Sequence, residues 1–134
     1  MSFSQRIDAA KKGDAKAQLN VGDAYFYGDG VAQSGKDAAE WYSKAAEQDL
    51  AEAQFKLGQY YAEGEDVDKN EAEAVKWYRK AAEQGHMNAQ DSLGECYLIG
   101  CGVAKDEAEA VKWLRKAAVQ GYSGSQRALK KLGM

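Results

Sequence analysis

The sequence contains no proline, so nothing in it removes a backbone donor from a helix interior; a mostly helical chain is the simplest reading. Histidine occurs once, as His86, and cysteine twice, as Cys96 and Cys101. One imidazole and two thiols cannot complete a tetrahedral zinc site without outside ligands, and neither a metal nor another cofactor is expected. No apolar run approaches the ~18 residues that mark a bilayer-crossing helix, so no membrane is expected as a partner. Neither sign of charge dominates. The net value of −3 excludes a strongly basic nucleic-acid binder of the usual kind. The opening stretch MSFSQRIDAAKKGDAK has no apolar core segment and no small-residue cleavage site, so no signal peptide is read there. With so few thiols, the expected setting is a reducing one, the cytoplasm.

What the sequence has in abundance is repetition. Glu73–Gly85, EAVKWYRKAAEQG, returns 36 residues later at Glu109–Gly121 as EAVKWLRKAAVQG, and stands 36 residues earlier, more loosely, at Asp37–Asp49 as DAAEWYSKAAEQD. Trp41, Trp77 and Trp113 keep the same step, as do Gly22, Gly58 and Gly94, and Tyr25, Tyr61 and Tyr97. A fixed period of this length marks an architecture of stacked units, none of which can bury its own apolar face. The two cysteines do not follow the period, which argues against a repeating disulfide framework.

Each unit reads as two helices. The first starts near Ala15, Ala51 and Met87, and its apolar row runs Ala17, Val21, Tyr25, then Ala53, Leu57, Tyr61, then Ala89, Leu93, Tyr97. Steps of four place each row on one helical face. Gly22, Gly58 and Gly94 lie inside these helices, where glycine costs ~1 kcal/mol relative to alanine; their recurrence implies a second helix too close for a Cβ atom. Gly28, Gly64 and Gly100 end the first helices. Val31, Val67 and Val103 are expected as buried loop anchors. Ser34, Asn70 and Asp106 are N-cap residues, with Asp37, Glu73 and Glu109 three positions on, as in a capping box. Second helices therefore begin near residues 35, 71 and 107, and carry an apolar stripe such as Ala74, Trp77, Tyr78, Ala81 and Ala82. Gly85 and Gly121 stop them, with Asp49 in that role in the first unit. The turns are short, so neighbouring helices must be antiparallel. Residues 1–14 read as an N-terminal cap helix, with Gln5 and Arg6 at the tryptophan and tyrosine positions. Residues 15–50, 51–86 and 87–122 are the units. Residues 123–134 read as a C-terminal cap helix, with Lys130 at the close-contact glycine position. All of this makes one all-α domain.

The pattern A-x-A-Q-x-x-L-G-x-x-Y-x-x-G, a loop, then A-V-K-W-Y-R-K-A-A-E-Q-G resembles the Sel-one-like repeat family over about residues 5–132. The resemblance implies a right-handed α-solenoid, an α/α superhelix of antiparallel helix pairs related to tetratricopeptide repeats. It also implies a non-catalytic scaffold or adaptor that binds another protein or a peptide. The chain departs from the pattern at Asp66, where the other units have Gly30 and Gly102, at Asp49, and at Ala32-Gln33-Ser34, which lacks the usual lysine. Cysteine-rich relatives are linked to β-lactam binding. This chain lacks their repeated cysteines and shows no nucleophile–base pair, so β-lactamase-like activity is not expected. The alternative to an adaptor is a structural or self-associating module; a monomer or weak dimer is expected.

Read one by one, the residues that could carry chemistry have structural roles. Cys96 replaces Ala24 and Tyr60 and reads as a small core filler. Cys101 is placed in an exposed loop, and His86 in a solvent-exposed turn. Gly28-Asp29-Gly30 and Gly100-Cys101-Gly102 follow helices, not strands, and lack the Gly-Lys-Ser/Thr ending of a phosphate loop. Asp66, Asp68 and Asn70 have the spacing of the first calcium ligands, but Glu71 stands where that loop needs glycine. Lys76, Arg79 and Lys80 read as a solvated face, with Glu40–Lys44 and Arg79–Glu83 as surface pairs.

The resemblance implies that the first helices line the concave side. By position, the first unit then contributes Lys16, Leu19, Asp23, Phe26 and Tyr27. The second contributes Glu52, Phe55, Gln59, Ala62 and Glu63. The third contributes Asn88, Asp91, Glu95, Leu98 and Ile99, with Arg127 beyond it. Phe26, Tyr27, Phe55 and Leu98 are expected to hold apolar anchors. The carboxylates of Asp23, Glu52, Glu63, Asp91 and Glu95 face only Lys16 and Arg127, so the expected partner is a peptide or helix with apolar anchors and basic flanks.

Overall fold

The computed structural model describes residues 1–134 as eight α-helices without strands. They are α1 (Phe3–Lys11), α2 (Ala15–Tyr27), α3 (Gly35–Glu47), α4 (Ala51–Glu63), α5 (Glu71–Glu83), α6 (Met87–Ile99), α7 (Glu107–Val119) and α8 (Ser123–Lys131). Each packs chiefly against the helices before and after it in the chain, the arrangement of an all-α solenoid.

Local chemistry sets the ends. The side chains of Ser34, Asn70 and Asp106 accept hydrogen bonds from the backbone N–H groups of Asp37, Glu73 and Glu109 at 3.2, 3.0 and 3.1 Å. The return bond of a full capping box forms only between Ser2 and Gln5. Glu73 and Glu109 instead lie beside Lys76 and Lys112, at 3.1 and 3.9 Å. The first helices close on left-handed Gly28, Gly64 and Gly100, with φ of 71°, 71° and 78°. Asp49 takes the corresponding turn of the second helices with φ 65°.

The mid-helix glycines have the close neighbours their recurrence implies. A Cβ built on Gly22 would lie 2.6 Å from the Tyr42 ring, on Gly58 2.7 Å from Tyr78, and on Gly94 2.8 Å from Leu114. Each first helix thus lies against the second helix of its own unit. The core is divided along the stack. One cluster gathers Tyr42, Leu57, Tyr60 and Trp77; the next gathers Phe55, Tyr78, Leu93 and Trp113. Each crosses a boundary between units. Val31, Val67 and Val103 are half-buried, less enclosed than expected, because each sits on a loop at the stack's edge.

A hydrogen-bonded glutamine series closes every turn between units. Gln18, Gln54, Gln90 and Gln126 donate from their side chains to the carbonyls of Ala10, Ala46, Ala82 and Ala118 at 3.1–3.3 Å. Gln48, Gln84 and Gln120 donate to the side-chain oxygens of Gln18, Gln54 and Gln90 at 2.9, 2.9 and 2.7 Å. The same three donate to the carbonyls of Gly13, Asp49 and Gly85. Gln18, Gln54 and Gln90 are buried, and this arrangement satisfies groups that would otherwise be costly to desolvate.

Candidate functional site

The face formed by α2, α4 and α6 brings together most of the residues expected to bind a partner, but not all are reachable. Leu19 and Phe55 are buried, at 5 % and 9 % exposed. Phe55 is covered by the His86 ring, with centroids 4.9 Å apart, and packs on Tyr78 at 5.8 Å. Both residues pack within the stack, so Leu19 is not exposed on the face and Phe55 is not an exposed anchor. Ala62 and Leu98 are half-buried. Phe26, Tyr27 and Ile99 are open to solvent at 41 %, 70 % and 68 %, all three at the C-terminal ends of their helices. Lys16, Glu52, Gln59, Glu63, Asn88 and Arg127 are exposed, and Asp23, Asp91 and Glu95 half-buried.

The acidity of this face is partly neutralised from within. Asp23 accepts a 2.7 Å hydrogen bond from the Tyr42 hydroxyl. Lys56, a cation not among the expected contacts, lies 3.7 Å from Asp23 and 3.8 Å from Glu52. His86 is not the solvated turn residue expected. Its side chain is 14 % exposed, Nδ1 accepts from the Ala89 N–H as the N-cap of α6, and Nε2 lies 2.6 Å from Glu52. Asp91 accepts from the buried Ser125 hydroxyl at 2.6 Å. Burial, then the neighbouring charge of Asp91, raises the Glu95 carboxyl above its usual range, with Lys131 opposing. The acids left without a cation or hydroxyl partner are Glu63 and Glu95, with Glu65 and Asp66 in the following loop.

The opposite helices also differ from a plain solvated face. Lys76 and Lys80 lie over the Trp77 ring at 5.0 and 5.6 Å, and Lys112 and Lys116 over Trp113 at 5.4 and 5.6 Å. Their aliphatic stems cover apolar surface while the ammonium groups stay wet. Lys44 lies over Trp41 instead of pairing with Glu40. Arg79 donates to the Tyr97 hydroxyl and lies over that ring, so the expected Arg79–Glu83 pair does not form.

Cys96 is buried, as expected of a core filler, and Cys101 is a free thiol in the loop after α6 but half-buried, less exposed than expected. The Cys101 thiol donates to Cys96 Sγ at 3.3 Å. Burial pushes the Cys96 thiol up to about 12, so it stays protonated and is a poor nucleophile at neutral pH. Burial likewise raises Tyr42, with its bond to Asp23, and Tyr78. No group of three or more His, Cys, Asp or Glu is gathered to hold a metal ion, and no helix is long and apolar enough to cross a membrane.

Comparison with known proteins places these features in a family. A model of the Sel1 repeat matches residues 15–50, 51–86 and 88–122. The chain is similar to a Sel1 repeat protein from Oxalobacter formigenes whose crystal structure is known, at 39 % identity over 96 % of each chain and a TM-score of 0.89. It is 35 % identical to c5321, a protective antigen of uropathogenic Escherichia coli with an SLR fold, covering 96 % of this chain and 35 % of that one, with a TM-score of 0.75. It is 25 % identical to cysteine rich protein B of Helicobacter pylori, over 96 % and 97 % of the two chains, with a TM-score of 0.73. Comparison with curated proteins returns no match.

Proposed function

The chain belongs to the Sel1 repeat family, whose members generally serve as protein-interaction scaffolds, and from that premise we propose that it holds a peptide or helix of a partner protein against the α2–α4–α6 face without catalysing a reaction on it. The observation that carries the reading is the placement of Phe26, Tyr27 and Ile99. These large apolar side chains stand open on that face, while the equivalent apolar rows toward the neighbouring helices are buried. Exposed aromatic and aliphatic side chains on a rigid frame are the usual anchors of an interface. The unpaired acids Glu63, Glu65 and Glu95 beside them favour a partner with basic flanks.

Selection of a random peptide library on the immobilised protein tests this. Enriched peptides should combine apolar and basic residues. The variant Tyr27→Ala/Ile99→Ala should bind them about ten-fold more weakly, as truncated anchors do, and keep its melting temperature. Equal binding by wild type and variant would overturn the assignment of the face.

A further inference from the structure

A cavity of about 470 Å³ opens on this face where the first and second units meet. Its two walls differ in chemistry. One is aromatic: Phe26 and Tyr27 close α2 with their rings edge to face, centroids 4.9 Å apart. The other is acidic: Glu63 closes α4, and Glu65 and Asp66 follow it in the loop. The one cation in the lining, Lys56, is already engaged by Asp23 and Glu52. Asp66 completes this wall, its carboxylate lying beside Gly35 in the first turn of α3. Glu63 and Glu65 remain exposed and without a cation.

The cavity also contains an unanswered polar group. Tyr60 lines it, is 8 % exposed, and has a buried hydroxyl with no hydrogen-bond partner. Such orphans are rare in folded proteins, and a ligand donor removes the penalty. Burial, then the charges of Asp66, Glu65 and Glu63, pushes this hydroxyl up to about 12, which places it within the field of the acidic wall.

We propose that the cavity takes the guanidinium of an arginine side chain of the bound peptide, a step that rests on the peptide-binding reading above. A guanidinium answers both walls at once. Its flat face stacks on one of the two aromatic rings, and its fork of N–H donors reaches the Glu63 and Glu65 carboxylates, with one donor left for the Tyr60 oxygen. A lysine ammonium meets the charge but has no plane to stack. A carboxylate or phosphate meets a net negative lining and is repelled.

The test is an NMR titration of the ¹⁵N-labelled protein with acetyl-arginine-amide, and with acetyl-citrulline-amide as the uncharged isostere. Arginine should give saturable shifts at residues 26, 27, 60 and 63–66, and citrulline should bind at least about ten-fold more weakly. Glu63→Gln/Glu65→Gln should reduce arginine binding by a similar factor while leaving the rest of the spectrum in place. Tyr60→Phe should weaken it by about three-fold without lowering the melting temperature, since the orphan hydroxyl is gone. Equal binding of citrulline, or shifts centred on Asp91 and Glu95, would overturn the cavity assignment. The single-residue probe carries no apolar anchor, so its failure bears on the cavity alone. If library-selected peptides bind the face yet keep full affinity when their arginines become citrulline, the face stands and the cavity does not.

Discussion

The seam between the first and second units and the seam between the second and third share one backbone plan and are filled differently. At the first, Tyr60, Glu65 and Asp66 meet Gly35 and Tyr42; at the second, the same positions hold Cys96, Cys101 and Gly102, facing Glu71 and Tyr78. A Cβ on Gly35 would lie 2.0 Å from Asp66 Oδ2, and a Cβ on Gly102 would lie 2.4 Å from the Glu71 carbonyl. One partner at each seam must lack a side chain, and the two seams put that gap on opposite sides. The loop position is left-handed in every unit, with φ of 76°, 62° and 74° at Gly30, Asp66 and Gly102; aspartate is among the few residues that tolerate this. The first seam therefore trades glycine's ease for a carboxylate on its surface. The second trades a tyrosine and a glutamate for a pair of small thiols.

The largest way to break either seam is through its tryptophan. Trp77 anchors the first and Trp113 the second, at 8 % and 6 % exposed, so Trp77→Ala and Trp113→Ala should each cost ~3–5 kcal/mol in denaturant melts. Both indole N–H groups are buried without a partner, which holds the losses to that range instead of above it. Trp41 is only half-buried, and Trp41→Ala should cost less than half as much. Equal losses at all three positions would mean that the terminal helices contribute as fully as the inner ones.

Exchanging the seam residues gives a smaller effect. Gly35→Glu installs the residue of the other seams against Asp66 and should destabilise by ~2 kcal/mol. Asp66→Gly alone should change stability by less than ~1 kcal/mol, since it relaxes a left-handed residue but frees the unfolded chain. In the double variant most of the loss should return, a coupling of ~1–2 kcal/mol by a double-mutant cycle in urea. Additive effects would show that the two sites do not share one space.

The smallest effect concerns pH. Glu95 occupies the place of Gln59 in the second unit. Its folded-state pKa is raised, so the folded protein holds this proton more tightly than the unfolded chain does. The associated stability is complete below the ordinary carboxylate range and is lost as pH rises through the folded value. Glu95→Gln should therefore melt slightly above wild type at neutral pH, with the gap closing in mild acid, as thermal melts across pH will show.

The features legible in the sequence are those that depend on a residue and its near neighbours. Ser34, Asn70 and Asp106 mark helix starts because an N-cap is a local bond, and Gly58 announces Tyr78 because its cost needs repayment in every unit. Features that cross a seam were hidden. Lys56 reaches back to Asp23 of the first unit and His86 reaches Glu52 from the following turn, and neither follows the period, so no internal comparison could expose them. Phe55 reads as an exposed anchor until His86 is seen to cover it. The cysteines are five apart and meet only because Gly100 turns the chain back over the end of α6. The glutamine series was visible as a recurring letter, but its meaning required the carbonyls it reaches.

That glutamine series has a consequence for how such a chain can change length. The same donors and acceptors are offered at each join, so a duplicated segment of residues 51–86 spliced in after itself would find complementary groups on both flanks. Elongation by copying therefore needs no new chemistry at the junction, and diversity is free to accumulate on the outward side chains while the fastening stays constant.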